Sequence, residues 1–132
     1  MVNSLNKVPV AIIGMASIVP QAKNLQGYWD NIFHKLDCVT DVPLSRWDPT
    51  KYFDPNPNAQ DKTYCKRGGF IPDIDFDPAE FGLPPNILEV TDVSQLLGLV
   101  VARDALVDAG YGEANPKQRE TTGVILGFNG TS

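Results

Sequence analysis

The sequence predicts an α/β chain with an incomplete mixed sheet, flanking helices and a long ordered loop region rich in proline and glycine. Two apolar runs, residues 8–14 and 122–128, contain β-branched residues without polar alternation, which is typical of strands buried on both faces. Two other segments place apolar residues at helical spacing. Most of the eleven prolines lie in residues 43–85, which indicates that this third of the chain is mostly loop.

The first strand, residues 8–14, is followed by a predicted helix over residues 25–36. Asn24 is placed to cap it, and Gly27 costs about 1 kcal/mol of helix stability, so the helix depends on packing. Its apolar positions follow the i, i+3, i+4, i+7, i+8, i+11 spacing of one helix face. These positions are Leu25, Tyr28, Trp29, Ile32, Phe33 and Leu36.

The proline-rich region is too long for a structureless loop in a compact domain. Its aromatic residues are expected to order it by packing onto the rest of the chain. A short helical turn is also expected from Asp77-Pro78 to Gly82, because aspartate caps helices and proline fits the first turn. The aromatic residues are Trp47, Tyr52, Phe53, Tyr64, Phe70, Phe76 and Phe81.

A second helix is predicted to begin after Thr91 or Asp92, with Gln95 placed to complete a capping box. It runs to about Ala109 and ends at Gly110, a common C-terminal stop. Its apolar residues surround the axis, so its middle is expected to be buried on most sides. The positions expected to reach water are Arg103, Asp104 and Asp108.

The two predicted strands are too few for a stable covered sheet. Residues 10–13 and 124–126 are nevertheless expected to lie in buried strands of one sheet, because both runs are apolar on both faces. They therefore need neighbouring strands that the chain does not supply. This reasoning predicts a fragment of a larger domain.

Composition excludes several classes of protein. The 132 residues are 42% apolar and 20% charged, as in ordinary soluble globular chains. A net charge of -5 disfavours nucleic acid as a partner, since phosphate binding needs a basic surface. No apolar run approaches the roughly 20 residues of a membrane span, and the N-terminus lacks a signal-peptide pattern, so a cytoplasmic location is expected. Cys38 and Cys65 are then expected to be unpaired thiols.

Two kinds of residue invite a catalytic interpretation. His34 is the single histidine and is expected at the helix surface; a dyad with Cys38 is rejected because the helix should end there. Cys65 precedes Lys66 and Arg67, and cations lower the pKa of a thiol. However, neighbours in an extended segment point to opposite faces. Cys65 is therefore expected to be a small residue in a packed loop.

Two further patterns invite a binding interpretation. Gly68-Gly69 lacks the following lysine and helix start of a phosphate-binding loop, so a turn is expected. Asp73, Asp75 and Asp77 alternate like calcium ligands, but the remaining ligands of such a loop are missing. With one histidine and no Cys-x-x-Cys pair, a zinc site is disfavoured. The sequence therefore assigns no catalytic, cofactor-binding or metal-binding residue.

Several short motifs in fixed order carry a resemblance to a known family. They are Pro43-Leu44-Ser45-Arg46-Trp47-Asp48, Lys62-Thr63-Tyr64, Arg67-Gly68-Gly69-Phe70 and the run from Phe76 to Leu83, after the apolar opening that ends in Gly14-Met15-Ala16-Ser17. Together they resemble the N-terminal part of a β-ketoacyl synthase domain, over residues 1–132. The common polyketide version of the second helix begins Met-Asp-Pro-Gln-Gln-Arg, whereas residues 90–97 here read Val-Thr-Asp-Val-Ser-Gln-Leu-Leu. This departure looks more like synthases of polyunsaturated fatty acids or related bacterial lipid synthases.

The resemblance implies a thiolase-like fold, with two similar α/β halves in five layers, and a homodimer. It implies decarboxylative Claisen condensation of acyl and malonyl thioesters, with covalent catalysis by a cysteine and charge stabilisation by two histidines. In the family these three residues come later than Ser132. The implied partners are the remainder of the ketosynthase domain and an acyl carrier protein, whose phosphopantetheine holds the substrates; no cofactor is expected on this chain.

Three functional interpretations remain open at this point. The first is the N-terminal piece of a ketosynthase, inactive by itself. The second is a non-catalytic interaction or docking module derived from such a domain. The third is an independent small α/β binding domain. A coding region that continues into Asp-x-x-Cys-Ser and two later histidine motifs supports the first, and a stop codon after Ser132 supports the second.

Overall fold

A computed structural model of the protein describes residues 9–112 and 120–127. Two longer helices frame an irregular middle region that contains two short helices and a small sheet. The elements in chain order are α1 (Leu25–Phe33), β1 (Thr40–Asp41), α2 (Pro49–Tyr52), β2 (Arg67–Gly68), α3 (Pro85–Leu88) and α4 (Val93–Asp108). Strands β1 and β2 pair antiparallel, with Thr40 opposite Gly68 and Asp41 opposite Arg67. Within these two ranges, no helix has the length and apolar character needed to cross a membrane.

Helix α1 begins where the sequence predicts. The Asn24 side chain accepts a hydrogen bond from the Gly27 N–H at 2.9 Å, which confirms the predicted cap. The helix ends at Phe33, earlier than expected, because Lys35 adopts a left-handed conformation with φ 55°. The Leu36 N–H then bonds back to the Asn31 carbonyl at 2.9 Å, as in other left-handed helix ends.

Helix α4 also has the predicted ends. Of the two candidate caps, Asp92 is the one used, and its carboxylate accepts a hydrogen bond from the Ser94 N–H at 2.8 Å. Gly110, with φ 79°, stops the helix, and its N–H donates to the Val107 carbonyl at 2.9 Å. Glycine suits this position because it has no Cβ to clash in the left-handed region.

The expected burial of the middle of α4 is wrong. Val100 is its one buried residue among the described positions, at 5% exposure. The apolar side chains of Leu99, Leu106 and Val107 are exposed, whereas Arg103 and Asp104, expected in water, are half-buried. The contacts that the described chain makes with this helix include charged residues, because Arg103 bonds to Glu80 and Asp108 accepts from the Met15 N–H.

The proline-rich region is ordered by aromatic contacts, as predicted. Trp47 meets Tyr52 edge to face with ring centroids 6.4 Å apart, and Phe76 stacks on Phe81 at 5.0 Å. The predicted turn is present, since the Asp77 carboxylate accepts from the Ala79 N–H at 2.9 Å and the Leu83 N–H donates to the Pro78 carbonyl at 2.9 Å. The prediction that the aromatic residues pack onto the rest of the chain is wrong for Tyr64, which is exposed, and Tyr52 is also exposed although it contacts Trp47.

The described residues of the two predicted buried strands form no strand. Residues 10–13 and 124–126 belong to no strand, and their apolar side chains are exposed, with Val10 at 93% and Ile125 at 98%. Positions 8 and 128, which the sequence includes in the two strands, lie outside the described residues. The physical reason is the missing neighbours, because a strand needs partners for its backbone and covering groups for both faces.

Candidate functional site

The lone histidine lies at the surface, as predicted. His34 is exposed at the C-terminal end of α1, where its Nδ1 lies 2.9 Å from the Asp30 carbonyl. Its ring meets Phe33 edge to face at 5.2 Å. Both contacts belong to the helix end itself. In the ranges that the structure describes, no nucleophile is hydrogen-bonded to this imidazole, and the rejected pairing with Cys38 is not formed.

The two cysteines are free and lie in different surroundings. Cys38 is half-buried and lines a cavity of about 360 Å³ beside α1, with its thiol 3.7 Å from the Leu36 carbonyl. Cys65 is exposed, and its thiol contacts the Arg67 carbonyl at 3.3 Å. Neither cysteine lies at the start of a helix, the position where the helix dipole would lower the pKa of a thiol.

The cations beside Cys65 in sequence serve another purpose. The Arg67 guanidinium donates to the Val39 carbonyl at 2.7 Å and lies 3.7 Å from the Asp37 carboxylate. Lys66 Nζ lies 3.0 Å from a carboxylate oxygen of Asp41. Both cations therefore lie beside carboxylates in and before β1. Cys65 lies in a loop, as predicted, but the expectation that this loop is packed around it is wrong, because Cys65 is exposed.

The predicted turn at Gly68-Gly69 is wrong, because Gly68 lies in β2 and Gly69 follows the strand without forming a turn. Gly68 is the last residue of β2, and a Cβ on Gly69 would lie 2.7 Å from the Pro20 side chain. Glycine at this position therefore permits close packing of the segment after β2 against the turn that precedes α1. Gly69 makes this packing contact, so its role is structural.

The alternating aspartates have separate structural roles. Asp73 lies 3.5 Å from the Arg46 guanidinium, which also donates to the Ile71 carbonyl at 3.0 Å, and Asp77 caps its own turn. Across residues 9–112 and 120–127, no group of three or more histidine, cysteine or acidic side chains is placed to hold a metal ion. The predicted acidic turn residues are thus confirmed for Asp77.

Arg103 connects α4 to the turn around Phe81. The sequence did not predict this contact. Its Nη1 lies 2.6 Å from Glu80, its Nη2 lies 2.8 Å from Asp104, and its guanidinium covers the Phe81 ring at 5.7 Å. Hydrogen bonds from Arg103 to Asp104, and then to Glu80, raise the pKa of Arg103 above its usual range. Within the run from Phe76 to Leu83, Glu80 and Phe81 therefore contact α4.

The N-terminal segment contacts the C-terminal end of the same helix. The Met15 N–H donates to the Asp108 carboxylate at 2.9 Å, so Asp108 does more than mark the exposed side of the helix. A Cβ built on Gly14 would lie 2.7 Å from the Ala109 side chain and would clash with the Ala105 carbonyl oxygen, so glycine is required there. The exposed apolar residues 10–13 directly precede this anchored point.

Two exposed apolar segments without backbone hydrogen bonds are the main feature of the described surface. Residues 10–13 and 124–126 expose their side chains, and no hydrogen bond is formed by their backbone groups within the described structure. Helix α1 adds Trp29, Ile32 and Phe33, all exposed. Exposed apolar side chains, together with free backbone donors and acceptors, are the features that strand addition by another polypeptide uses. Among the described residues, none of His34, Cys38 and Cys65 is hydrogen-bonded to another nucleophilic or imidazole side chain.

Comparison with known proteins identifies the relatives of this architecture. The family model for the β-ketoacyl synthase N-terminal domain matches residues 7–132. The chain is 43% identical over 121 residues to one component of a polyunsaturated fatty acid synthase from Thraustochytrium sp., covering 92% of this chain and 4% of that protein. It is 41% identical over 120 residues to polyketide synthase PksL from Bacillus subtilis, covering 90% and 3%.

A solved structure agrees with the sequence relatives. The ketosynthase from module 6 of the bacillaene synthase from Bacillus subtilis superimposes with a TM-score of 0.68 at 41% identity, covering 76% of this chain and 17% of that one. The chain thus spans a small part of the length of every relative compared. Its predicted α/β class, as the N-terminal portion of a thiolase-like fold, is confirmed by this likeness.

Proposed function

The chain belongs to the family of β-ketoacyl synthase N-terminal domains, and on this premise we propose that residues 1–132 form the N-terminal portion of a ketosynthase domain. The whole domain catalyses decarboxylative condensation of acyl and malonyl thioesters during fatty acid or polyketide chain elongation. Identity to a polyunsaturated fatty acid synthase and to polyketide synthases supports this reaction class.

The proposal rests on two apolar segments that have neither strand partners nor covering groups in the described structure. Residues 10–13 and 124–126 expose apolar side chains and form no backbone hydrogen bonds in the described structure. Leaving such segments in water is unfavourable, because apolar surface contributes about 25 cal/mol of stability per Å² when it is buried. The remainder of the ketosynthase domain is the partner that supplies strands beside them and helices over them.

In the condensation, an acyl group moves from the phosphopantetheine thiol of a carrier protein to a cysteine of the enzyme, which releases the carrier thiol. A malonyl thioester then loses carbon dioxide, and the resulting carbanion attacks the acyl thioester and expels the cysteine thiolate. Splitting the reaction into two transfers lowers each barrier. The proposal assigns neither Cys38 nor Cys65 to this step, because neither lies at a helix N-terminus and neither is hydrogen-bonded to a histidine.

This chain therefore contributes scaffold to the enzyme. The contact of Gly14 with Ala105 and the ion pair of Arg103 with Glu80 fix residues 10–13, α4 and the turn around Phe81 relative to one another. The complete enzyme acts in the cytoplasm as a homodimer, takes its substrates from an acyl carrier protein and needs no cofactor on these residues. The chain alone is inactive.

Lysine substitution in the complete synthase tests the proposal. Ile12→Lys and Ile125→Lys each place a charge where we expect a buried strand, and the cost of burying an unpaired charge exceeds the usual stability of a domain. Both variants should lose soluble ketosynthase and the release of carbon dioxide from malonyl thioester. Gln60→Lys, at an exposed position of the polar loop after α2, is the matched control and should behave like the wild type.

The outcomes separate the proposal from the docking-module alternative. Lysine variants that condense at the wild-type rate would show that the segments stay uncovered and would contradict the proposal. A wild-type full-length protein that binds acyl carrier protein but releases no carbon dioxide and forms no ketoacyl product favours the non-catalytic docking module.

A further inference from the structure

We draw no further inference here: the strongest candidate, the apolar cavity beside α1 that Tyr28, Ile32 and Cys38 line, rests on a lone cysteine, and nothing in the described part of the chain shows what occupies it.

Discussion

Gly14 and Ala105 approach each other so closely that a Cβ on Gly14 would clash with the Ala105 carbonyl oxygen. The neighbouring Met15 N–H is bound to Asp108 at 2.9 Å, so the backbone has little freedom to retreat. This contact joins the N-terminal apolar segment to the C-terminal half of α4. It explains why glycine, and no residue with a side chain, precedes Met15.

Gly14→Ala is expected to destabilise the chain by about 1–3 kcal/mol, the usual cost of overpacking a close contact. Thermal unfolding of the chain, followed by circular dichroism, measures the change. Gly98→Ala is the matched control, because Gly98 lies within α4 and a Cβ there would meet no atom within 4 Å in the described structure. That variant should be stabilised by up to about 1 kcal/mol through helix propensity. Equal stability of Gly14→Ala and wild type would contradict the contact.

The cap of α4 predicts a pH dependence. Hydrogen bonds from the Ser94 hydroxyl and the Ser94 N–H lower the pKa of Asp92 below its usual 3.8. A carboxyl whose pKa is depressed by folding stabilises the folded state above its unfolded pKa, and this contribution is lost as the pH falls through the folded value. Helicity of α4 should therefore decrease on acidification below about pH 4, the region of the ordinary aspartate pKa.

Ser94→Ala provides the control for this assignment. It removes the hydroxyl donor and keeps the backbone N–H, so the pKa of Asp92 should rise, and the loss of helicity on acidification should be smaller and complete at a higher pH. Carbon-detected NMR titration of the Asp92 carboxyl gives the pKa in both proteins. An unchanged Asp92 pKa in the variant would refute the role of the hydroxyl.

Hydrogen exchange of the isolated chain should divide it into two classes of amide. Amides of residues 10–13 and 124–126 have no hydrogen-bond acceptor in the described structure and should exchange at rates close to those of an unfolded peptide. Amides in the second half of α4, which are bonded within the helix, should be protected. In the complete synthase, the two apolar segments should become protected as well. Protection of these segments in the isolated chain would mean that they already have partners there.

Local signals in the sequence predicted where α1 begins and where α4 begins and ends, whereas the short helices α2 and α3 were not predicted. Asn24, Asp92 and Gly110 act on backbone groups within a few residues of themselves, so their roles are visible in the order of residues. Met15 and Asp108 are 93 positions apart in the sequence, and Arg103 and Glu80 are 23 positions apart. No local sequence pattern predicts such contacts.

The predicted strands show a different limit. Residues 10–13 and 124–126 have the composition of interior strands. The composition of a segment indicates the environment in which it is stable. Whether the segment is buried depends on the neighbours that pack against it. For this reason the fold class was predicted correctly while the burial of both segments was not. The sequence assigned no site residue to this chain, and that assignment stays a prediction.

Acylation measured by mass spectrometry tests the central claim most directly. The chain is incubated with an acylated carrier protein, alongside the complete synthase that contains it. We expect no acyl adduct on the 132-residue chain, and one adduct per ketosynthase in the complete protein that persists in the Cys38→Ala and Cys65→Ala variants. Stoichiometric acylation of the isolated chain, abolished by either of these substitutions, would contradict the account and make the chain an enzyme in its own right.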